Sequence, residues 1–312
     1  MEDYDIVVVG GGPAGMTAAL YALRNGKTVL IIEKNGFGGQ ITYSPRVENY
    51  PGTMQMSGNE FADRFMDQLI AQGVDMEIET VVRVENEGRF KAVVTEEGSR
   101  YLCQAVILAT GVKHRMLNLP GEGELVGNGI SFCAVCDGDF YKDQVVCVAG
   151  GGNSALQEAI FLSGKCSQVI ILQDLEMLTG EKKLADIIES RENIKVFVNR
   201  RITGLVTENG ELKGVTAADR ITGEEQTVYC NGLFEAVGLV PENEAFSEIA
   251  RLDSYGYFDS DESCFTMTPG VFTAGDCRAK SVRQLTTASA DGAVSAIAAC
   301  RYIDEMHAGV VQ

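Results

Sequence analysis

The sequence predicts an α/β fold of two doubly wound, three-layer units, the second inserted into the first, and three observations predict it. A strand, glycine turn and helix start, Tyr4-Asp5-Ile6-Val7-Val8-Val9-Gly10-Gly11-Gly12-Pro13-Ala14-Gly15, recurs 140 residues later as Gln144-Val145-Val146-Cys147-Val148-Ala149-Gly150-Gly151-Gly152-Asn153-Ser154-Ala155. Each copy runs through an Ala/Leu-rich helical stretch into a second strand, Thr28 to Ile32 and Val169 to Leu172. This is the βαβ pattern of two Rossmann-like nucleotide-binding domains. Beyond the second copy, Val271-Phe272-Thr273-Ala274-Gly275-Asp276 and a small-residue helix from about Gln284 to Tyr302 return the chain to the first unit. The expected domains are 1–114 with 244–312, and 115–243 inserted between them, with crossings near Pro120-Gly121 and Val240-Pro241-Glu242.

Taken in order, Gly10-x-Gly12-x-x-Gly15 follows a strand and opens a helix, with Pro13 and Ala14 in its first turn. The glycines permit the tight turn, the approach of a pyrophosphate to the backbone and close helix packing, while the helix N-terminus favours anions. Glu33 stands 18 residues after Gly15, where an acid can bind ribose hydroxyls. Ser57 to Gly73 reads as an amphipathic helix with Ser57 and Glu60 as a capping box and Phe61, Phe65, Met66, Leu69 and Ile70 on one face. Residues 80 to 110 alternate as strands and end in Ala109-Thr110-Gly111.

The second turn, Gly150-x-Gly152-x-x-Ala155 with Asn153 and Ser154, has the same context, and Asp174 follows Ala155 by 19 residues. Asp174 reads either as a ribose ligand or as a solvated turn residue. Facing a ribose, it favours NADH, because a carboxylate repels the 2'-phosphate of NADPH.

Cys133-Ala134-Val135-Cys136 precedes that turn, and three readings compete. Zinc needs two further ligands, yet there is no second C-x-x-C, and the only histidines are His114 and His307. Two buried cysteines by chance is the second reading. The third is redox chemistry, since two intervening residues let the sulfurs close a small ring that a partner thiolate can reopen. Asp137 could donate a proton to the leaving thiolate or merely cap the Asp-Gly turn.

Bulk composition narrows the partners. A chain of 312 residues with 45% apolar and 22% charged residues supports two cores. A net charge of -18, with no dense basic run, argues against nucleic acid and anionic membrane surfaces. Most of the nine cysteines sit singly in apolar runs, as small buried hydrophobes. With no cleavable apolar segment at the start and no apolar run approaching 18 residues, a cytoplasmic location is expected.

Gly38-Gly39-Gln40, Val47-Glu48-Asn49-Tyr50-Pro51, Ala109-Thr110-Gly111, Cys133 to Gly138, Gly150 to Ala155 and Thr273-Ala274-Gly275-Asp276 stand in the order found in bacterial low-molecular-weight thioredoxin reductases, which the chain resembles over nearly its whole length. The resemblance implies that Glu33, Gln40, Asn49, Asp276, Arg283 and Gln284 contact FAD, beside Gly39, Thr110 and Gly111 of the shared motifs. It implies that Cys136 faces the flavin, that Cys133 attacks the thioredoxin disulfide and that Asp137 manages the proton. A homodimer and a rotation of the inserted domain are implied too. One stretch departs from the family: 171 to 180 lacks the arginines that hold the NADPH phosphate. NADH is therefore expected as donor, ahead of ferredoxin and then NADPH. The alternatives to this enzyme are a ferredoxin-linked or peroxiredoxin-directed electron carrier and a flavin-bound redox sensor.

Overall fold

The computed structural model describes residues 3–44 and 47–309, and the chain divides into two compact units, 1–113 with 240–312 and 114–239. In chain order, unit 1 begins with β1 (Tyr4–Val9), α1 (Pro13–Arg24), β2 (Val29–Glu33), α2 (Gly58–Ile70), β3 (Asp75–Ile78), β4 (Val81–Glu87), β5 (Phe90–Thr95) and β6 (Arg100–Leu108). The strand β7 (Val112–His114) then leads into α3 (Glu122–Leu125), β8 (Ile130–Ser131), α4 (Ala134–Asp137), β9 (Val145–Ala149), α5 (Asn153–Ser163), β10 (Gln168–Leu172), α6 (Lys182–Glu189) and β11 (Ile194–Phe197). Three antiparallel strands follow, β12 (Arg200–Glu208), β13 (Glu211–Asp219) and β14 (Glu225–Tyr229), and then β15 (Gly232–Glu235). The return runs through β16 (Leu239–Pro241), which pairs with β7, to β17 (Val271–Thr273) and α7 (Leu285–His307).

In unit 1 the parallel core runs β3-β2-β1-β6. The long β6 serves two neighbours in succession: Arg100 to Cys103 pair with the hairpin strand β5, and Val106 to Leu108 pair with β17. Period-two alternation sends Ile6 and Val8 towards α1 and α7, and Val7 and Val9 to the opposite face. That opposite face is covered by the β4–β5 hairpin and by Phe246, Ile249, Ala250 and Phe258. Ile6, Val7, Val8 and Val9 are all buried, and each such burial is worth about 1.5–3 kcal/mol.

Ser57 caps α2, its hydroxyl accepting the Glu60 N–H at 3.0 Å. Of the expected apolar face, Phe61 and Leu69 are buried, but Ile70 is 57% exposed, because the helix seats itself through Phe61, Ala62 and Leu69. The last helix continues past Tyr302 to His307, since Ile303 and Met306 extend its buried face and no breaker precedes Gly309.

Unit 2 is a parallel sheet, β11-β10-β9-β15-β8, beside a separate three-stranded sheet, β12-β13-β14. Val146 and Val148 pack on α5, while Cys147 and Ala149 meet Leu212 and Val215 of β13. The two glycine turns match in detail. Gly10 and Gly150 have φ of 110° and 118°, and a Cβ there would lie 2.3 Å from the Ala109 carbonyl oxygen and 2.6 Å from that of Ala236. The third position differs for a reason: a Cβ on Gly15 would fall 1.9 Å from the Gly10 oxygen, whereas the second turn leaves room for Ala155. Pro120-Gly121 lies inside unit 2, Gly121 being the N-cap of α3.

Candidate active site

Cys133 and Cys136 form a disulfide across the single turn of α4, with Cα atoms 5.3 Å apart. Cys133 is the N-cap, and its sulfur accepts the Cys136 N–H at 3.2 Å. Ser131, buried at the end of β8, links this turn to its acid: the hydroxyl donates to Asp137 Oδ2 at 2.7 Å and accepts the Cys133 N–H at 3.1 Å. Burial pushes the Asp137 carboxyl up, and the Ser131 hydrogen bond only partly offsets it. Its Oδ1 is buried without a partner among the described residues. Tyr141 stands nearby, its phenol pushed up to about 12 by burial and by the Asp137 charge.

The other seven cysteines are buried thiols, and among the described residues no three or more His, Cys, Asp or Glu are placed to hold a metal ion together. His114 stacks on Phe132 with ring centroids 4.5 Å apart, and burial drives its imidazole down to about 4.

In unit 1 the first glycine turn gathers the residues expected to hold a flavin dinucleotide. The Gly11 N–H donates to Glu33 Oε2 at 2.6 Å. Next to it Gly12 is open, a Cβ there meeting only the Gly39 Cα at 3.9 Å, so a ligand can approach the backbone. Gln40 donates its side-chain amide to the Val112 carbonyl, and Asn49 donates to Gln284 Oε1 at 3.3 Å. Thr110, before Gly111, donates to Asn243 Oδ1 at 2.7 Å, and the buried Asn243 amide ties the carbonyls of Gly256 and Cys277.

Asp276 lies in a turn clamped to α7, where buried Asp291 accepts the Gly275 N–H at 3.0 Å and pairs with Arg278 and Lys280 at 2.8 Å each. Burial pushes Asp276 up to about 6, and its Oδ1 is buried without a partner among the described residues. An orphaned carboxyl oxygen beside an open glycine cradle fits a ligand rich in hydroxyls. Arg283 is held over the Tyr257 ring at 4.2 Å and donates to the Asp276 carbonyl, while Gln284 caps the 23-residue α7.

In unit 2 the loop after β10 folds over the second turn. Thr179 and Gly180 both donate to the Gly151 carbonyl, at 2.8 and 3.0 Å, and the Asn153 side chain is bonded in both directions to Glu181. Gly150, Gly152, Ser154 and Ala155 complete the start of α5. Asp174 is not a free carboxylate: Arg220, just after β13, pairs with its Oδ2 at 2.9 Å. The absence of arginine from 171 to 180 therefore does not leave this site without one. Ser131, Arg220 and Asn243 are polar groups at these sites that the sequence did not single out; Ser131 meets its partners within the turn itself, whereas Arg220 and Asn243 meet theirs only through tertiary packing.

A disulfide turn with its own buried acid, in a chain carrying two glycine-turn nucleotide units, defines the class: a flavin-type disulfide oxidoreductase. The pattern of the pyridine nucleotide-disulphide oxidoreductases matches residues 4–292. Thioredoxin reductase of Listeria monocytogenes is 37% identical over 303 residues, covering 97% of this chain and 95% of that protein. The bifunctional thioredoxin reductase/thioredoxin of Mycobacterium leprae is 38% identical over 310 residues, 98% of this chain and 67% of that one. Among solved structures, thioredoxin reductase from Streptococcus pyogenes superposes with a TM-score of 0.92 at 36% identity, covering 97% of this chain and 98% of the other. The chain belongs to the pyridine nucleotide-disulphide oxidoreductase family, among its bacterial low-molecular-weight thioredoxin reductases. The family is FAD-dependent and uses a pyridine nucleotide.

Proposed function

We propose that the chain is a thioredoxin-disulfide reductase, passing electrons from NADH through FAD and the Cys133–Cys136 disulfide to thioredoxin or a thioredoxin-like protein. The observation that carries this reading is the disulfide turn backed by Asp137, a buried carboxyl linked by Ser131 to the backbone of Cys133. In this reading unit 1 holds FAD through Gly10, Gly12, Pro13, Ala14, Gly15, Glu33, Gly39, Gln40, Asn49, Thr110, Gly111, Asp276, Arg283 and Gln284. Unit 2 takes the pyridine dinucleotide through Gly150, Gly152, Asn153, Ser154, Ala155 and Asp174.

FAD, when bound, relays an electron pair from the dinucleotide to the disulfide. The rest falls to the chain's own groups. In this reading Cys136 is the sulfur that would exchange electrons with the flavin. Cys133, whose sulfur accepts a backbone N–H, attacks the partner disulfide as a thiolate, and Asp137 hands a proton to the sulfur that leaves. A homodimer in the cytoplasm completes the proposal; among the described residues no helix is long and apolar enough to cross a membrane.

Arg220 favours a second reading, NADPH as donor, because a guanidinium beside Asp174 is suited to pair with a 2'-phosphate. Anaerobic titration of the flavin-loaded protein with NADH, NADPH and reduced ferredoxin in turn, followed by addition of oxidised thioredoxin, separates the donors. NADH should bleach the flavin fastest and the electrons should appear as thioredoxin thiols. Fast bleaching by NADPH alone overturns the donor assignment, and a purified protein with no flavin spectrum overturns the whole proposal.

A further inference from the structure

Beside the disulfide turn lies a carboxyl that the reaction above does not use. Glu158 stands on α5 with its Oε2 buried and unpartnered among the described residues. It faces the backbone N–H of Ala134, the first residue of α4. Asp137 ends that same turn with its own Oδ1 buried and unpartnered. The turn and α5 pack tightly here, since a Cβ on Gly138 would sit 3.2 Å from Leu162 Cδ2 and 3.4 Å from the Phe161 ring. Each carboxyl is desolvated, Glu158 feels the Asp137 charge, and among the described residues no cation stands with the groups that act on either one. Two like charges in such a place do not both ionise readily.

We propose that Glu158 is a positioning residue that acts through Asp137 as a proton reserve: the two carboxyls share a proton while the Cys133–Cys136 disulfide is closed and deliver it to the leaving sulfur when it opens. Burial, first of all, and the Asp137 charge push Glu158 up to about 8, against the pull of the Ala134 N–H. When a thiolate opens the disulfide, one S–S bond forms as the other breaks, and the electron pair stays on the departing sulfur. That sulfur takes the shared proton through Asp137, which leaves both carboxyls ionised until solvent returns one proton to the pair at Glu158. The neighbouring groups are accounted for. Tyr141 is held up to about 12 and Cys166 up to about 11, both by burial first. Lys165 is paired with Asp139, and the charges on α6, which packs on the other flank of α5, are Lys182, Lys183, Asp186 and Glu189.

The inference rests on this disulfide being opened and closed, as the proposed function requires, but its test needs neither a nucleotide nor thioredoxin. In the flavin-loaded protein, the rate of disulfide opening by dithiothreitol, divided by the thiolate concentration, is followed across about pH 6 to 10. Wild type should hold its rate at low pH and lose it as pH rises through about 8. Glu158→Gln removes the neighbouring charge, so Asp137 ionises earlier. The fall should then come at lower pH than in wild type, so that the variant is the slower of the two at pH 8. Asp137→Asn should abolish the fall and be slow throughout. Wild type with no fall near pH 8, which needs no variant, overturns the inference. So does a Glu158→Gln profile that falls at the wild-type pH, or one lowered equally at every pH, the mark of a merely structural role. An intact profile with no thioredoxin turnover would instead remove the proposed function and leave this inference standing.

Discussion

One hydroxyl, that of Ser131, joins the Cys133 backbone to the Asp137 carboxylate and so holds the acid beside the sulfurs. The two sulfurs are distinguishable by experiment. Cys133→Ser should leave Cys136 as a thiolate giving a long-wavelength charge-transfer band with oxidised FAD, and Cys136→Ser should not; the reverse pattern in visible spectra would exchange their roles. A second residue-scale prediction concerns Glu235, at the end of β15, which is 3% exposed and pushed up to about 9 by burial first and then by buried Glu122. Glu122 itself is engaged, accepting the N–H groups of Leu117 and Leu119 at 2.8 and 3.0 Å. With a folded pKa above the ordinary carboxylate value of about 4.3, the folded state binds the extra proton. The stability it contributes is full at low pH and is lost as pH rises towards 9. Glu235→Gln should therefore be more stable than wild type at pH 8, by about 1–3 kcal/mol, with the gap closing as pH falls. Thermal melts at several pH values that run parallel for the two proteins would contradict this.

At the scale of elements, the glycine turns were the most legible part of the sequence, because their spacing is dictated by backbone clearances of under 3 Å. Gly15→Ala should strain the β1–α1 turn by about 1–3 kcal/mol and weaken FAD retention, whereas Ala155→Gly should be near neutral. Flavin content after gel filtration measures this, and full retention in Gly15→Ala would count against the account. The capped helix α2 was equally readable from Ser57 and its apolar spacing. Less readable were its precise seat, where Ile70 turns outward, and the end of α7, where Ile303 and Met306 prolong a face that the small residues had concealed. What no local pattern shows is which distant polar groups meet. Thr110 finds Asn243 across 133 positions and Asp174 finds Arg220 across 46, and both depend on how sheets and loops pack.

At the scale of the whole molecule, repetition of the nucleotide-binding pattern made the two-unit plan visible, and each copy does start its own parallel sheet, β1 beside β2 and β6, β9 beside β10 and β15. The exit for electrons was visible as well, because C-x-x-C with a following acid is a local motif. Their entry was not: Asp174, in the proposed donor site after β10, meets an arginine from beyond β13, a pairing that no local motif announces. The central claim is that the Cys133–Cys136 dithiol delivers its electron pair to a protein disulfide. The most direct test reduces the flavin-loaded protein with one equivalent of NADH, or of dithiothreitol if NADH fails. The reduced protein is then mixed anaerobically with one equivalent of oxidised thioredoxin, and thiols are counted on each partner. The account predicts two new thiols on thioredoxin and a closed Cys133–Cys136 disulfide, with neither change in Cys133→Ser. A reduced enzyme that keeps both of its thiols while thioredoxin stays oxidised would contradict it.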